Sequence, residues 1–189
     1  FSPFFTDILE KSFEIGFLGI VLPEEMGGIG QGTSTLCVIL DNICQKDGSL
    51  GGIIFTNALA QEIMLSASAG KAMKGLFSKA STARDFLVAF PSFCNPCQLV
   101  NLPTASKSGK GYVLSGALEY LALGNVAAHA LVPARIDKSE GCSFFLVDLD
   151  VKGVKKSDPV FSLGLHACPV VDMAFDGVKA VLIGEEGKG

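Results

Sequence analysis

An α+β chain is the fold class that the sequence predicts: a helical first half, residues 1–83, then an antiparallel β-barrel over residues 84–189. Three observations lead there. Apolar residues recur at helical spacing before residue 84 and at a period near two after it. Glycines at 109, 111, 116, 124, 141, 153 and 164 punctuate the second half, which suits short strands joined by turns better than βαβ crossovers. A chain of 189 residues can also remove roughly 70% of its unfolded surface from water, enough for a sizeable core.

In chain order, Phe5, Ile8, Leu9 and Phe13 share one face of a first helix, with Ser2 as N-cap and Pro3 at the first helical position. Leu36, Ile39, Leu40 and Ile43 mark a second, capped by Thr33 or Ser34. Ile53, Leu59, Ile63 and Met64 suggest a third, less regular helix, and residues 71–79 a fourth that sets Met73, Leu76 and Phe77 against Lys71, Lys74 and Lys79. Beyond residue 84, strands are expected over 85–90, 112–114 and 181–183. Residues 144–147 form a continuous apolar run, as in a strand buried on both faces. Val171, Met173 and Phe175 alternate with Asp172, Ala174 and Asp176 in a half-solvated strand that ends at Asp176-Gly177.

Composition narrows the function classes. Fifteen Lys and Arg against 19 Asp and Glu leave a net charge of −4, and with a pI near 5.1 no basic stripe exists to neutralise nucleic-acid phosphates. Mean hydropathy is +0.45, oily for a chain outside a membrane. Yet the most apolar stretch, residues 120–134, is broken by Gly124, Asn125, His129 and Pro133 and is too short to span a bilayer. The oiliness implies packing against more protein. Six cysteines fall far below disulfide-scaffold density, so a cytoplasmic location is expected. Phe1 opens the chain with no leader pattern, and Gly184-Glu185-Glu186-Gly187-Lys188-Gly189 closes it without a further element. A segment of a longer intracellular polypeptide is expected.

Taken residue by residue, the chemistry search assigns neither a catalytic residue nor a metal ligand. The cluster Gly27-Gly28-Ile29-Gly30-Gln31-Gly32 fails the dinucleotide spacing, because Thr33 and Thr35 stand where a third Gly is required. A tight turn that reverses the chain is the better reading. Cys94-Asn95-Pro96-Cys97 could be half a zinc site or a redox pair, and His166 with Cys168 could complete the zinc set, but incidental cysteines account for the pattern more simply. Cys37 and Cys44 read as core residues. His129, in an apolar run, reads as a satisfied structural histidine. Glu24-Glu25 and Glu185-Glu186 flank Gly-rich turns and read as solvated.

The order of the motifs says more than any one of them. Residues 16–30, GFLGIVLPEEMGGIG, resemble the N-terminal helical signature of the acyl-CoA dehydrogenase family, and Gly70 to Ser78 resembles the end of that domain. Gly111-Tyr112-Val113-Leu114-Ser115-Gly116 is similar to a strand of the family's middle β-domain, and Ser143 to Val147 to another. Leu163-Gly164-Leu165, Phe175-Asp176-Gly177-Val178 and Gly184 to Gly189 resemble that domain's end. The resemblance implies an N-terminal helical domain over 1–83, a β-barrel middle domain over 84–189, and a C-terminal helical domain, absent from this chain, that supplies the catalytic Glu and oligomer contacts. It also implies FAD as cofactor, an acyl-CoA thioester as substrate, and assembly into homo- or hetero-oligomers with family members. The family reaction takes the α proton of the thioester with a carboxylate and passes hydride from the β carbon to flavin.

The positions matching the family's flavin site are Phe90, Ser92, Tyr120 and Ala122. Here the sequence departs from the pattern. Phe90 stands where the family's flavin loop begins with Thr, and Pro96 and Cys97 replace its Ser-Asp. Ala122 has lost a Thr hydroxyl, and His166 replaces an Arg. At roughly 0.5–1.5 kcal/mol per net hydrogen bond, these losses weaken flavin binding by about two to three orders of magnitude. Two classes remain: a divergent FAD-dependent dehydrogenase acting on CH-CH groups, and a flavin-free family member supporting an active partner. This chain alone is expected to be inactive and to hold flavin weakly or not at all. Restoring Thr at 90 and 122 and Ser at 96 is expected to raise flavin occupancy.

Overall fold

The computed structural model describes residues 3–92, 101–109, 111–136, 141–161 and 163–189. Five helices come first: α1 (Pro3–Glu14), α2 (Thr33–Cys44), α3 (Gly48–Ser66), α4 (Gly70–Phe77) and the single turn α5 (Ala83–Phe86). Seven strands come after them: β1 (Val88–Pro91), β2 (Thr104–Ser108), β3 (Gly111–Ala122), β4 (His129–Ile136), β5 (Cys142–Asp148), β6 (Val154–Lys156) and β7 (Val170–Ile183).

The helical layer is organised around α3. Asp47 caps it, its Oδ1 accepting from the Ser49 and Leu50 N–H groups at 2.8 and 3.0 Å. Its apolar residues show no single stripe because Ile53, Ile54, Ala60 and Met64 are all buried on a helix enclosed from several sides. That explains its irregular periodicity. α1 and α2 each bury one stripe: Phe5 and Leu9 on α1, Leu36 on α2. The cap of α2 is Gly32, with no side-chain bond, so neither Thr33 nor Ser34 caps it. Cys37 and Cys44 are exposed, not core residues, because they lie off the stripe through Leu36.

The glycine cluster is a chain reversal. Ile29, Gly30 and Gln31 donate N–H groups to the Gly19, Leu22 and Ile20 carbonyls at 3.0, 2.8 and 2.8 Å. A Cβ on Gly28 would lie 2.1 Å from the Leu22 carbonyl oxygen. Backbone proximity, not phosphate binding, is what these glycines serve.

The switch from helix to sheet comes slightly later than the expected strand at 85–90. Thr82 and Asp85 form a capping box, so residues 83–86 make a helical turn and β1 starts at Val88. Phe86 anchors that turn, its ring 5.3 Å from Phe13 and 5.0 Å from Phe77. The carboxylate of Glu10 on α1 accepts the Ala83 N–H at 3.0 Å. Substituting Thr82 by Ala is expected to cost about 1 kcal/mol in urea unfolding; an unchanged midpoint would show that the box adds nothing.

The strand pairings return on themselves in the order β1–β3–β7–β5–β4–β1, with β2 between β3 and β4 and β6 on β7. Most ladders are antiparallel, but β4 pairs parallel with both β1 and β2, which corrects a wholly antiparallel expectation. Pro133, which hid β4 from sequence reading, lies in the stretch 131–134 that neither β1 nor β2 pairs. A missing N–H costs no ladder bond on that edge. β5 alternates, with Phe145 and Val147 buried and Phe144 and Leu146 half-buried, so it is not buried on both faces. β7 does not stop at Asp176-Gly177. Gly177, at φ +61°, sits where β3 and β7 shift register, and the strand runs on to Ile183. Among the described residues, no helix is long and apolar enough to cross a membrane.

Candidate functional site

The register of β1 against β3 gathers the four flavin-site positions into one corner. Phe90 sits opposite Ala122 and Pro91 opposite Leu121. The Ser92 N–H donates to the Tyr120 carbonyl at 2.8 Å. Their side chains, however, divide. Phe90 is 4% exposed and Ala122 5%, and the Phe90 ring lies 6.1 Å from that of Phe144. These two are buried apolar positions. Ser92 is half-buried and Tyr120 is 39% exposed, so the hydroxyl-bearing pair is the more accessible one. Pro96, Cys94 and Cys97 lie outside the described residues.

Tyr120 is held in a conformation that L-residues avoid. Its φ is +55°, which costs of order 1–2 kcal/mol without compensation. Asp172 on β7 provides it: Oδ1 accepts the Tyr120 N–H at 3.0 Å. Asp172 is itself fixed, donating its N–H to Ser157 Oγ at 2.9 Å and accepting the Ser157 N–H at the same distance. Leu123 and Leu165 also have positive φ, at +66° and +54°. Leu123 donates its N–H to the Pro169 carbonyl at 2.8 Å. Strain of this kind tends to gather at functional sites. Sequence reading placed Asp172 on the solvated face of its strand and gave no sign of its role, since the bond spans 52 residues.

The segment before β7 flanks the corner and carries an apolar surface. Phe161, Leu163 and Leu165 are 86%, 97% and 53% exposed. His166 is exposed, its ring 6.0 Å from that of Phe161. The same segment grips the start of α3, where Ala167 donates its N–H to Ser49 Oγ at 3.3 Å. Cys168 is buried there, and burial pushes its thiol up to about 11, so it stays protonated and unreactive at neutral pH. Among the described residues, no group of three His, Cys, Asp or Glu is placed to hold a metal ion.

His129 does not read as satisfied. Its Nδ1 is buried with no hydrogen-bond partner among the described residues, and desolvation holds the ring below its ordinary 6.5 despite the nearby Asp148 carboxylate. It opens β4 opposite Asp148 of β5 and beside Val88 of β1, and it lines a large cleft. Glu185 and Glu186 are exposed, as a solvated turn requires, and form surface contacts there: Glu185 pairs with Lys188 at 2.7 Å, and Glu186 with Lys107 at 2.8 Å and with the Tyr112 hydroxyl.

Comparison with known proteins agrees with this geometry. A family profile described as "Acyl-CoA dehydrogenase, N-terminal domain" matches residues 2–76. Cyclohexane-1-carbonyl-CoA dehydrogenase of Geobacter metallireducens is 28% identical over 97% of the chain and 50% of its own length. Benzylmalonyl-CoA dehydrogenase of Aromatoleum aromaticum is 27% identical over 87% and 44%. The crystal structure of acyl-CoA dehydrogenase from Geobacillus kaustophilus superposes with a TM-score of 0.84 at 25% identity, covering 97% of this chain and 51% of that one. The chain thus spans about half the length of the curated relatives it matches. Helical layer, sheet and sequence relatives converge on one likeness: residues 2–76 match the N-terminal domain of the acyl-CoA dehydrogenase family, and the chain as a whole is similar to that family's members.

Proposed function

We propose that residues 1–83 and 84–189 are the N-terminal helical domain and the β-barrel middle domain of a divergent acyl-CoA dehydrogenase-like oxidoreductase. Its chemistry is the FAD-dependent α,β-dehydrogenation of an acyl-CoA thioester, carried out in an oligomer of family members. The observation that carries this reading is the corner itself: Phe90, Ser92, Tyr120 and Ala122 are far apart in sequence yet meet through the β1–β3 ladder. The closed circuit of strand pairings supports the barrel. The names of the two relatives, both dehydrogenases of CoA thioesters, support the substrate class.

The described residues do not make a tight flavin cradle. Two of the four positions are buried and apolar, Phe90 and Ala122, and the Asp172 carboxylate beside Tyr120 disfavours a phosphate-bearing cofactor. Those observations favour the second reading, a flavin-free member that supports an active partner. Colour separates the two. The 189-residue chain by itself is expected to purify without the visible absorbance of oxidised flavin. The protein isolated from its native source is expected to show that band and to lose it when acyl-CoA is added without oxygen. A colourless native protein would establish the supporting-subunit reading instead.

A further inference from the structure

A cleft of about 1400 Å³ lies between the end of α3, α4 and the outer face of the sheet. None of the four flavin-site positions lines it, although His129 on its wall pairs with Val88, two residues before Phe90. Its floor is set by strand register. On β7, Ala180 and Ile183 are buried while Lys179 and Val181 face outward. Val113 of β3 lies opposite Lys179, and Leu146 of β5 lies opposite Val181. The result is an outward apolar stripe, with Val181 55% exposed, on a face that solvent would normally make polar. Opposite it, α4 offers the half-buried Ala72 and Leu76. The small side chain of Ala72 keeps the wall back from the floor. The space exceeds the roughly 300–1,000 Å³ of ordinary small-molecule sites, which favours an elongated occupant.

The polar groups sit at the margins and are mostly cationic. Lys71 opens the α4 wall and Lys179 borders the floor, and neither has an ion-pair partner among the described residues. Lys188 at the rim is already paired with Glu185. The one other carboxylate lining the cleft, Asp148, accepts the Asp150 N–H at 2.8 Å within its own turn. His129 completes the set. With Nδ1 sealed away from any acceptor, a proton there would be an unpaired buried donor, so the neutral ring carries it on Nε2 and can donate to an incoming acceptor.

We propose that this cleft binds a small amphiphilic anion: an aliphatic chain laid along Val113, Leu146 and Val181, ending in one anionic head held by Lys71 and Lys179. Calorimetric titration of the natural full chain with decanoate tests it, with decanol and inorganic phosphate as half-ligands. The expected result is one saturable decanoate site, at least about tenfold tighter than either half-ligand. Combined Lys71→Glu and Lys179→Glu should weaken it about tenfold or more. Ala72→Trp should abolish it by filling the cleft. Because a Trp there could disturb α4, Val181→Gln, at an exposed position, gives a second arm and should weaken binding while leaving the circular dichroism unchanged. Leu163→Ser, on the other apolar surface, should leave binding as it was. Absence of saturable decanoate binding overturns the proposal. So does equal binding of decanol or phosphate, or binding that survives both the charge reversals and Val181→Gln, or binding lost in Leu163→Ser.

Discussion

Replacing Asn57 by Leu is expected to lower the unfolding free energy by about 3 kcal/mol in urea titration, whereas Gln61→Leu, one turn further along α3, is expected to cost no more than about 1 kcal/mol. Both side chains are fully buried and both donate to the same acceptor, the Leu18 carbonyl, at 2.8 and 2.9 Å. Asn57 does one thing more. Its Oδ1 accepts the N–H of Val88, the first residue of β1, at 2.8 Å. It therefore ties the turn after α1, the central helix and the first strand through one amide. Leu at 57 removes both bonds and leaves the Val88 N–H buried without an acceptor, which is the expensive outcome. Leu at 61 removes one bond, but Leu18 keeps its donor from Asn57. It also removes Oε1, which is buried and unpartnered. Equal losses for the two variants would show that Asn57 acts by packing alone.

How much was legible depends on the range of the interactions. α1, α2 and α4 bury one stripe each, so a local period revealed them. α5 carried a readable sign in Thr82 and Asp85, the ends of a capping box, but the apolar run 86–90 masked it as strand. β2 escaped because only Ala105 of its five residues is buried, which leaves no alternation to see. β4 was hidden by Pro133, tolerated only because neither β1 nor β2 pairs the stretch around it. β7 looked like two strands because Gly177 punctuates it, and a bulge cannot be told from a turn without the partner strand. The candidate site divides in the same way. Motif order located its four positions along the chain, but not which way each side chain points. Strand register and partner contacts settle that: they put Phe90 and Ala122 on the face of Val170 and Phe144, buried there under other side chains.

Burial also reverses the expected effect of restoring a Thr at position 90. Phe90→Thr is expected to destabilise the chain by about 3–5 kcal/mol and to leave flavin occupancy no higher than before. The Phe90 ring is almost wholly buried and packs against Phe144, so its loss opens a cavity between β1 and β5. The new hydroxyl is buried in that cavity and has to find an acceptor there or remain unpaired. Ala122→Thr meets the same obstacle in milder form, since Ala122 is buried between Phe90 of β1 and Val170 of β7 and extra volume there costs about 1–3 kcal/mol. Phe90→Leu is the control for volume alone and should retain most of the stability. The measurements are urea midpoints and flavin absorbance per chain, taken on the same preparations. Should Phe90→Thr raise flavin content without loss of stability, then position 90 becomes accessible when the cofactor is bound, and the packing against Phe144 belongs to the empty chain only. If stability falls and absorbance stays flat, no side-chain hydroxyl at 90 can reach a cofactor on the outside. A flavin bound at this corner would then rest on backbone, Ser92 or Tyr120.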